Sequence, residues 1–221
     1  MLTHCQLQKG LPDAAGDSVL LRVGVLALQG DVREHINSLI SLNVAVQKVR
    51  SVEELQTVNA LVIPGGESTT ISMLAKRVGL MQPLKQFIKE GKAVYGSCAG
   101  MIMLANKILD GRQDQETIGG LDITVRRNAF GRQVDSFESD IAIKDFKNNF
   151  RAVFIRAPWV EEISPAVEIL ASVKNEKNEE HPVMVRQNMI LATAFHPELT
   201  SDNRIHEYFV QMAKSAARIN S

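Results

Sequence analysis

The chain has 221 residues, enough for one α/β domain with a sizeable core. Its 25 lysines and arginines balance 25 aspartates and glutamates, and a formal net charge of zero argues against nucleic acid or an anionic membrane as the main partner. No apolar run reaches the roughly 18 residues of a membrane span, and two cysteines, Cys5 and Cys98, make no disulfide framework, so a reducing cytoplasm fits best.

Residues 1–20 lack a secretory pattern, because His4, Lys9, Pro12, Asp13 and Asp17 interrupt any apolar stretch. They are expected to be a flexible extension or the product of an upstream start codon, with 21–221 as a single domain. Residues 21–28 (LRVGVLAL) read as a buried strand followed by Gln29-Gly30-Asp31. Val32, Ile36, Leu39 and Ile40 then recur at helical spacing. Residues 44–49 are β-like, 52–58 suit a short helix, and 60–63 form a short apolar strand ending at Pro64-Gly65-Gly66. Residues 68–77 and 83–89 look helical, with Gly79 and Gly91 as stops. Strands alternating with helices at this spacing imply βαβ units and a mostly parallel sheet. Ligands of such sheets bind at the carboxyl ends of the strands, where Gln29, the Pro64-Gly65-Gly66 turn and Cys98 all fall.

Residues 93–95 suit another strand, and 101–104 continue as a helix former. Between them stands Gly96-Ser97-Cys98-Ala99-Gly100, the cysteine counterpart of the G-x-S-x-G nucleophile elbow. Small neighbours permit the sharp turn, which sets the sulfur at a helix N-terminus, where an anion is favoured. A buried structural cysteine is the plain alternative, so the elbow needs a base.

The second half is β-rich, with 135–143, 152–155, 167–173, 183–185 and 190–194 as candidate strands. Residues 174–180 (KNEKNEE) read as a solvated loop, and Ser201 as the N-cap of a last helix to about residue 217. ATAFHPELT at 192–200 supplies the base: His196 follows a β-like run, and Glu198, two residues on, lies on the same side if the chain is extended. Nucleophile, base and orienter would then be Cys98, His196 and Glu198. His4, His35, His181 in the charged loop and His206 in an exposed helix are competitors for this role; neither His181 nor His206 follows a strand end, so His196 is preferred. In IPGGESTT (63–70) the glycines let backbone N–H groups approach an oxyanion. An ordinary turn with Ser68 as N-cap stays open, and Glu67 suits a substrate ammonium group or plain exposure.

Together these stretches resemble a class I, triad-type glutamine amidotransferase. The nearer likeness is to the glutaminase subunit of pyridoxal 5′-phosphate synthase, the Pdx2/PdxT family. It is carried by GVLALQGDVREH (24–35), PGGESTT (64–70), GSCAGMIMLA (96–105), GGLDITVRRNAFGRQVDSFE (119–138), FIRAP (154–158) and ATAFHPELT (192–200). The resemblance implies a three-layer α/β/α flavodoxin-like sandwich with a mostly parallel central sheet. It implies hydrolysis of L-glutamine to L-glutamate through a γ-glutamyl thioester, with the ammonia passed to a synthase subunit of the Pdx1/PdxS type in a large hetero-oligomer that makes vitamin B6.

Carried over by motif, Cys98, His196 and Glu198 are catalytic. Gly65, Gly66, Glu67, Arg127, Ile155 and Arg156 bind glutamine, and Gly66 and Ala99 supply the oxyanion hole. A guanidinium suits the substrate α-carboxylate, although Arg127 or Arg156 could equally be a surface ion pair, and Arg126 is not assigned to substrate. No metal or cofactor is expected. The Gly65-Gly66 peptide is expected to flip as a switch, responding to synthase contact near Gln29-Gly30. A related triad hydrolase of γ-glutamyl peptides and a non-catalytic α/β partner remain as rivals.

Overall fold

The computed structural model describes residues 21–112, 114–127, 136–174 and 178–219. The expected extension, Cys5, residues 128–135 (NAFGRQVD) and residues 175–177 of the KNEKNEE loop lie outside them.

In chain order the elements are β1 (Arg22–Leu26), α1 (Val32–Ser41), β2 (Ala45–Val49), α2 (Val52–Gln56), β3 (Ala60–Ile63), α3 (Ser68–Arg77), α4 (Met81–Lys89), β4 (Ala93–Ser97) and α5 (Ala99–Leu104). There follow β5 (Ala105–Ile108), β6 (Leu121–Arg126), β7 (Ser136–Ile141), β8 (Phe150–Ile155), β9 (Trp159–Ile163), β10 (Glu168–Lys174), β11 (Glu180–Gln187) and β12 (Ile190–Thr193). A 3-10 turn (Pro197–Leu199) and α6 (Arg204–Ile219) end the chain.

One seven-stranded sheet runs β10-β11-β12-β4-β3-β1-β2. Its β12, β4, β3, β1 and β2 are mutually parallel, and β10 and β11 add an antiparallel edge. The expected mostly parallel α/β architecture holds. Smaller sheets, β5-β6-β9 and β7-β8, pack beside it. β3, β4 and β12 are buried along their whole length, as strands covered on both faces must be, which is why they read as apolar runs up to the polar Ser97 and Thr193 at the ends of β4 and β12.

Parallel register aligns Ile63 with Gly96 and Ser97 with Thr193. The residues that follow, Pro64-Gly65-Gly66, Cys98 and Ala194-Phe195-His196, therefore emerge side by side at one sheet edge. Behind them α5 is buried at every position. Gly100 admits no side chain there, because a Cβ would stand 2.1 Å from the Ile63 carbonyl oxygen.

Several expectations need correction. α3 is capped by the Glu67 carboxylate, which accepts the Thr69 N–H, and Ser68 is its first helical residue. Ser201 does not cap α6; the Asp202 carboxylate accepts the Arg204 N–H instead. His181 lies in β11 with its ring against Trp159. His206 is fully buried, because at three and four residues before Phe209 and Val210 it shares the apolar face of α6. No helix among the described residues is long and apolar enough to cross a membrane.

Candidate active site

Cys98 sits between β4 and α5 at φ 47°, ψ −102°. A side chain rarely adopts this left-handed backbone, and such strain collects at functional turns. The turn is held by the Cys98 N–H, which donates to the Thr193 carbonyl at 2.8 Å. That N–H is thereby committed. Ala99 opens α5, and the first N–H groups of a helix have no acceptor within it. The Ala99 amide is thus available to an anion beside the sulfur.

His196 and Glu198 are 4% and 6% exposed. His196 Nδ1 lies 2.8 Å from Glu198 Oε1. The expected pairing forms, but not by extended chain: Glu198 stands in the 3-10 turn, with His196 as the residue before it. The bend brings the carboxylate back under the ring.

A second carboxylate, Asp31, places Oδ2 3.4 Å from the same Nδ1. Burial disfavours protonation of His196, but the hydrogen bonds of Asp31, Cys98 and Glu198 outweigh it and raise the pKa. Burial likewise opposes ionisation of Glu198, yet His35 and His196 beside it hold the carboxyl well below the usual carboxylate range. The surroundings therefore favour the protonated form of His196 beside an ionised Glu198.

Asp31, His196 and Glu198 offer ligand atoms within 4.8 Å of one another, a spacing that a cation could share. Those atoms already converge on one Nδ1–H, so a cation there would compete with the base.

The glycine turn packs directly on this group. A Cβ on Gly65 would lie 2.4 Å from His196 Cε1, and one on Gly66 (φ 149°) would lie 2.4 Å from Gln29 Oε1. The Gly65 carbonyl accepts the Asp31 N–H at 3.2 Å, and the Gly65 N–H donates to Ser97 Oγ at 3.0 Å. Gln29 Oε1 accepts the Glu67 N–H at 2.7 Å. The Gln29-Gly30-Asp31 and Pro64-Gly65-Gly66 turns are thus tied together.

Glu67 carries the Arg127 guanidinium on Oε1 at 2.8 Å. Arg127 also donates to Gln115 Oε1 at 3.3 Å. Burial would raise the Glu67 pKa, but bonds from Thr69 and the charges of Arg127 and Arg156 lower it. Arg156 has φ 43°, and the Ile155 carbonyl oxygen stands 3.7 Å from Cys98 Sγ.

His196 and the Ile155 carbonyl thus lie at Cys98, Glu198 and Gly65 pack on His196, and Glu67, Arg127 and Arg156 form a charged group beside the glycine turn. Arg126, unassigned from the sequence, points into ion pairs with Asp110 and Glu161. Sequence reasoning gave no role to Asp31 or Ser97 and weighed His35 only as a competitor for the base. Asp31 had a signal, since it closes the turn after β1; Ser97 was taken only as a small neighbour of Cys98.

The SNO glutamine amidotransferase family matches residues 25–215. The chain is 57% identical to pyridoxal 5′-phosphate synthase subunit PdxT of Acidothermus cellulolyticus, over 90% of this chain and 96% of that protein. It is 54% identical to the subunit of the same name from a Nocardioides species, over 86% and 94%. A crystal structure described as a glutamine amidotransferase superposes with a TM-score of 0.79 at 46% identity, covering 86% of this chain and 98% of that one. With the match spanning both the cysteine elbow and the histidine–glutamate turn, the chain belongs to the SNO glutamine amidotransferase family.

Proposed function

We infer that the protein hydrolyses L-glutamine to L-glutamate and supplies the ammonia to pyridoxal 5′-phosphate synthesis. The observation that carries this reading is the convergence of Cys98, His196 and Glu198 at one sheet edge, in a chain more than half identical to PdxT subunits.

The Cys98 sulfur, its proton held by His196, attacks the side-chain amide carbon of glutamine. Negative charge develops on the amide oxygen, where the N–H groups of Gly66 and Ala99 serve as donors. His196 passes its proton to the departing nitrogen, ammonia leaves, and a γ-glutamyl thioester remains. Water then gives a proton to His196 and attacks the thioester carbon, which releases glutamate and restores the sulfur. Glu67, Arg127 and Arg156 present both signs of charge to the zwitterionic end of the substrate, and Ile155 backs the site with its carbonyl beside Cys98.

The partner is a synthase subunit of the Pdx1/PdxS type in a hetero-oligomer, and the compartment is the cytoplasm, where a free thiol stays reduced. In isolation the subunit is a poor glutaminase. The bond from the Asp31 N–H fixes the Gly65 carbonyl, and the Gly66 N–H, trans across the same peptide, faces away from Asp31. A partner that shifts the Gln29-Gly30-Asp31 turn would release this peptide.

Glutamate release, measured with and without the synthase subunit, should rise at least about tenfold on complex formation, since one oxyanion donor is worth roughly 10²–10³ in rate. Gly66→Ala should blunt the rise, because its Cβ collides with Gln29. No glutamate release by the assembled complex would refute the functional reading. An isolated subunit as fast as the complex would refute only the switch.

A further inference from the structure

Two fully buried imidazoles, His35 on α1 and His206 on α6, take no part in the chemistry above. Burying a polar ring is costly unless it is hydrogen-bonded. His35 Nε2 lies 2.9 Å from Ser97 Oγ and 3.4 Å from Glu198 Oε1. His35 Nδ1 lies 2.9 Å from His206 Nε2. Among the described residues, His206 Nδ1 and Glu198 Oε2 have no hydrogen-bond partner.

Proton placement follows from these contacts. A bare Nε2 on His35 would aim a lone pair at a carboxylate oxygen, so Nε2 carries a proton. His206 is neutral, because burial foremost presses its pKa down to about 3. If its one proton is on Nε2, it donates to His35 Nδ1, and the unpartnered His206 Nδ1 is an acceptor. The other tautomer would strand a buried N–H, the rarer defect.

Ser97 Oγ then accepts from Gly65 N–H and from His35 Nε2–H, which leaves its own proton for Glu198 Oε1 at 3.4 Å. Glu198 Oε1 thus faces the His196 and Ser97 donors, and His35 Nε2, whose one N–H is shared between Ser97 Oγ and this oxygen, stands 3.4 Å away.

We propose that His35 is a positioning residue of the triad. Its Nε2–H holds Glu198 ionised against His196 and, through Ser97, fixes the glycine turn, while His206 sets its tautomer. The titratable groups facing His35 are Glu198 from the 3-10 turn, His206 from α6 and Tyr95 from β4, the last an edge-on ring at 5.9 Å. Hydrogen bonding to a charged form favours it, so loss of this donor lets Glu198 take up a proton at higher pH, and the imidazolium loses its counter-charge.

The proposal rests on the glutaminase reading, so the deciding measurement needs no glutamine. It is the pH dependence of Cys98 alkylation by iodoacetamide, followed on the Cys98 peptide by mass spectrometry, with kcat and KM for glutamate release measured in the synthase complex. His35→Leu should move the acid limb of alkylation up by about one pH unit and lower kcat about tenfold or more with KM little changed. His35→Gln, which keeps a donor near the Nε2 position, should restore most of both.

A folded His35→Leu protein with the wild-type limb, or Gln and Leu variants equally impaired, would overturn the proposal. If His35→Leu does not fold, His206→Phe decides: a smaller upward shift supports the proposal, and an unmoved limb overturns it. Failure of the wild-type complex to release glutamate would instead strike the functional reading.

Discussion

Replacing Cys98 by alanine should lower glutamate release in the synthase complex by about 10⁴-fold or more while leaving the fold intact. Loss of a nucleophile in a triad enzyme is worth that much or more, because the partners cannot act without it. The fold should survive for a local reason. Alanine keeps the Cβ at φ 47°, so the turn is no more strained than before, and the anchoring bond to the Thr193 carbonyl comes from the backbone. The side chain lost is small, and its polar contacts are to the His196 ring and the Ile155 carbonyl. Circular dichroism should match the parent while turnover vanishes. A folded variant with near-normal turnover would remove Cys98 from the mechanism.

His196→Asn should be nearly as damaging, and Glu198→Gln less so, by roughly 10²–10⁴-fold in kcat. The glutamine variant separates charge from shape. Among the described residues the polar contacts of Glu198 fall on Oε1, while Oε2 has no hydrogen-bond partner. A glutamine can keep its carbonyl oxygen at the first position and put its NH₂ at the second. The ring stays oriented, but the charge that supports the imidazolium is gone and a buried donor is unpaired. Steady-state kinetics of both variants in the complex tests this, with KM for glutamine expected to change little. Equal losses in the two would mean that Glu198 does more than stabilise the ring.

Much of this was legible in the sequence because central parallel strands are buried on both faces. Residues 60–63, 93–95 and 190–192 are apolar without interruption, and short loops leave their carboxyl ends little freedom. The elbow was legible because only small residues tolerate it, as the 2.6 Å approach of a Gly96 Cβ to the Gly100 backbone illustrates.

Other features had no local signature. β5 follows α5 without a break, so its four residues carry no boundary signal. β6 and β9 pair across long sequence separation. The His196–Glu198 contact was anticipated, yet from the wrong backbone: alternation in an extended chain predicts a shared side, whereas the Pro197 turn achieves it by bending. His206 was readable from the apolar spacing of α6 and was passed over because histidine is polar. His35 was not readable as a site residue, since its value lies in reaching Ser97 and Glu198, 62 and 163 residues away in the chain.

The most direct test of the account is inactivation by a glutamine analogue bearing a chloroketone in place of the side-chain amide. The account predicts one equivalent of label on Cys98, activity lost in proportion to labelling, and protection by glutamine. Inactivation with the label on another residue, or a fully labelled Cys98 in an enzyme that still releases glutamate, would contradict it.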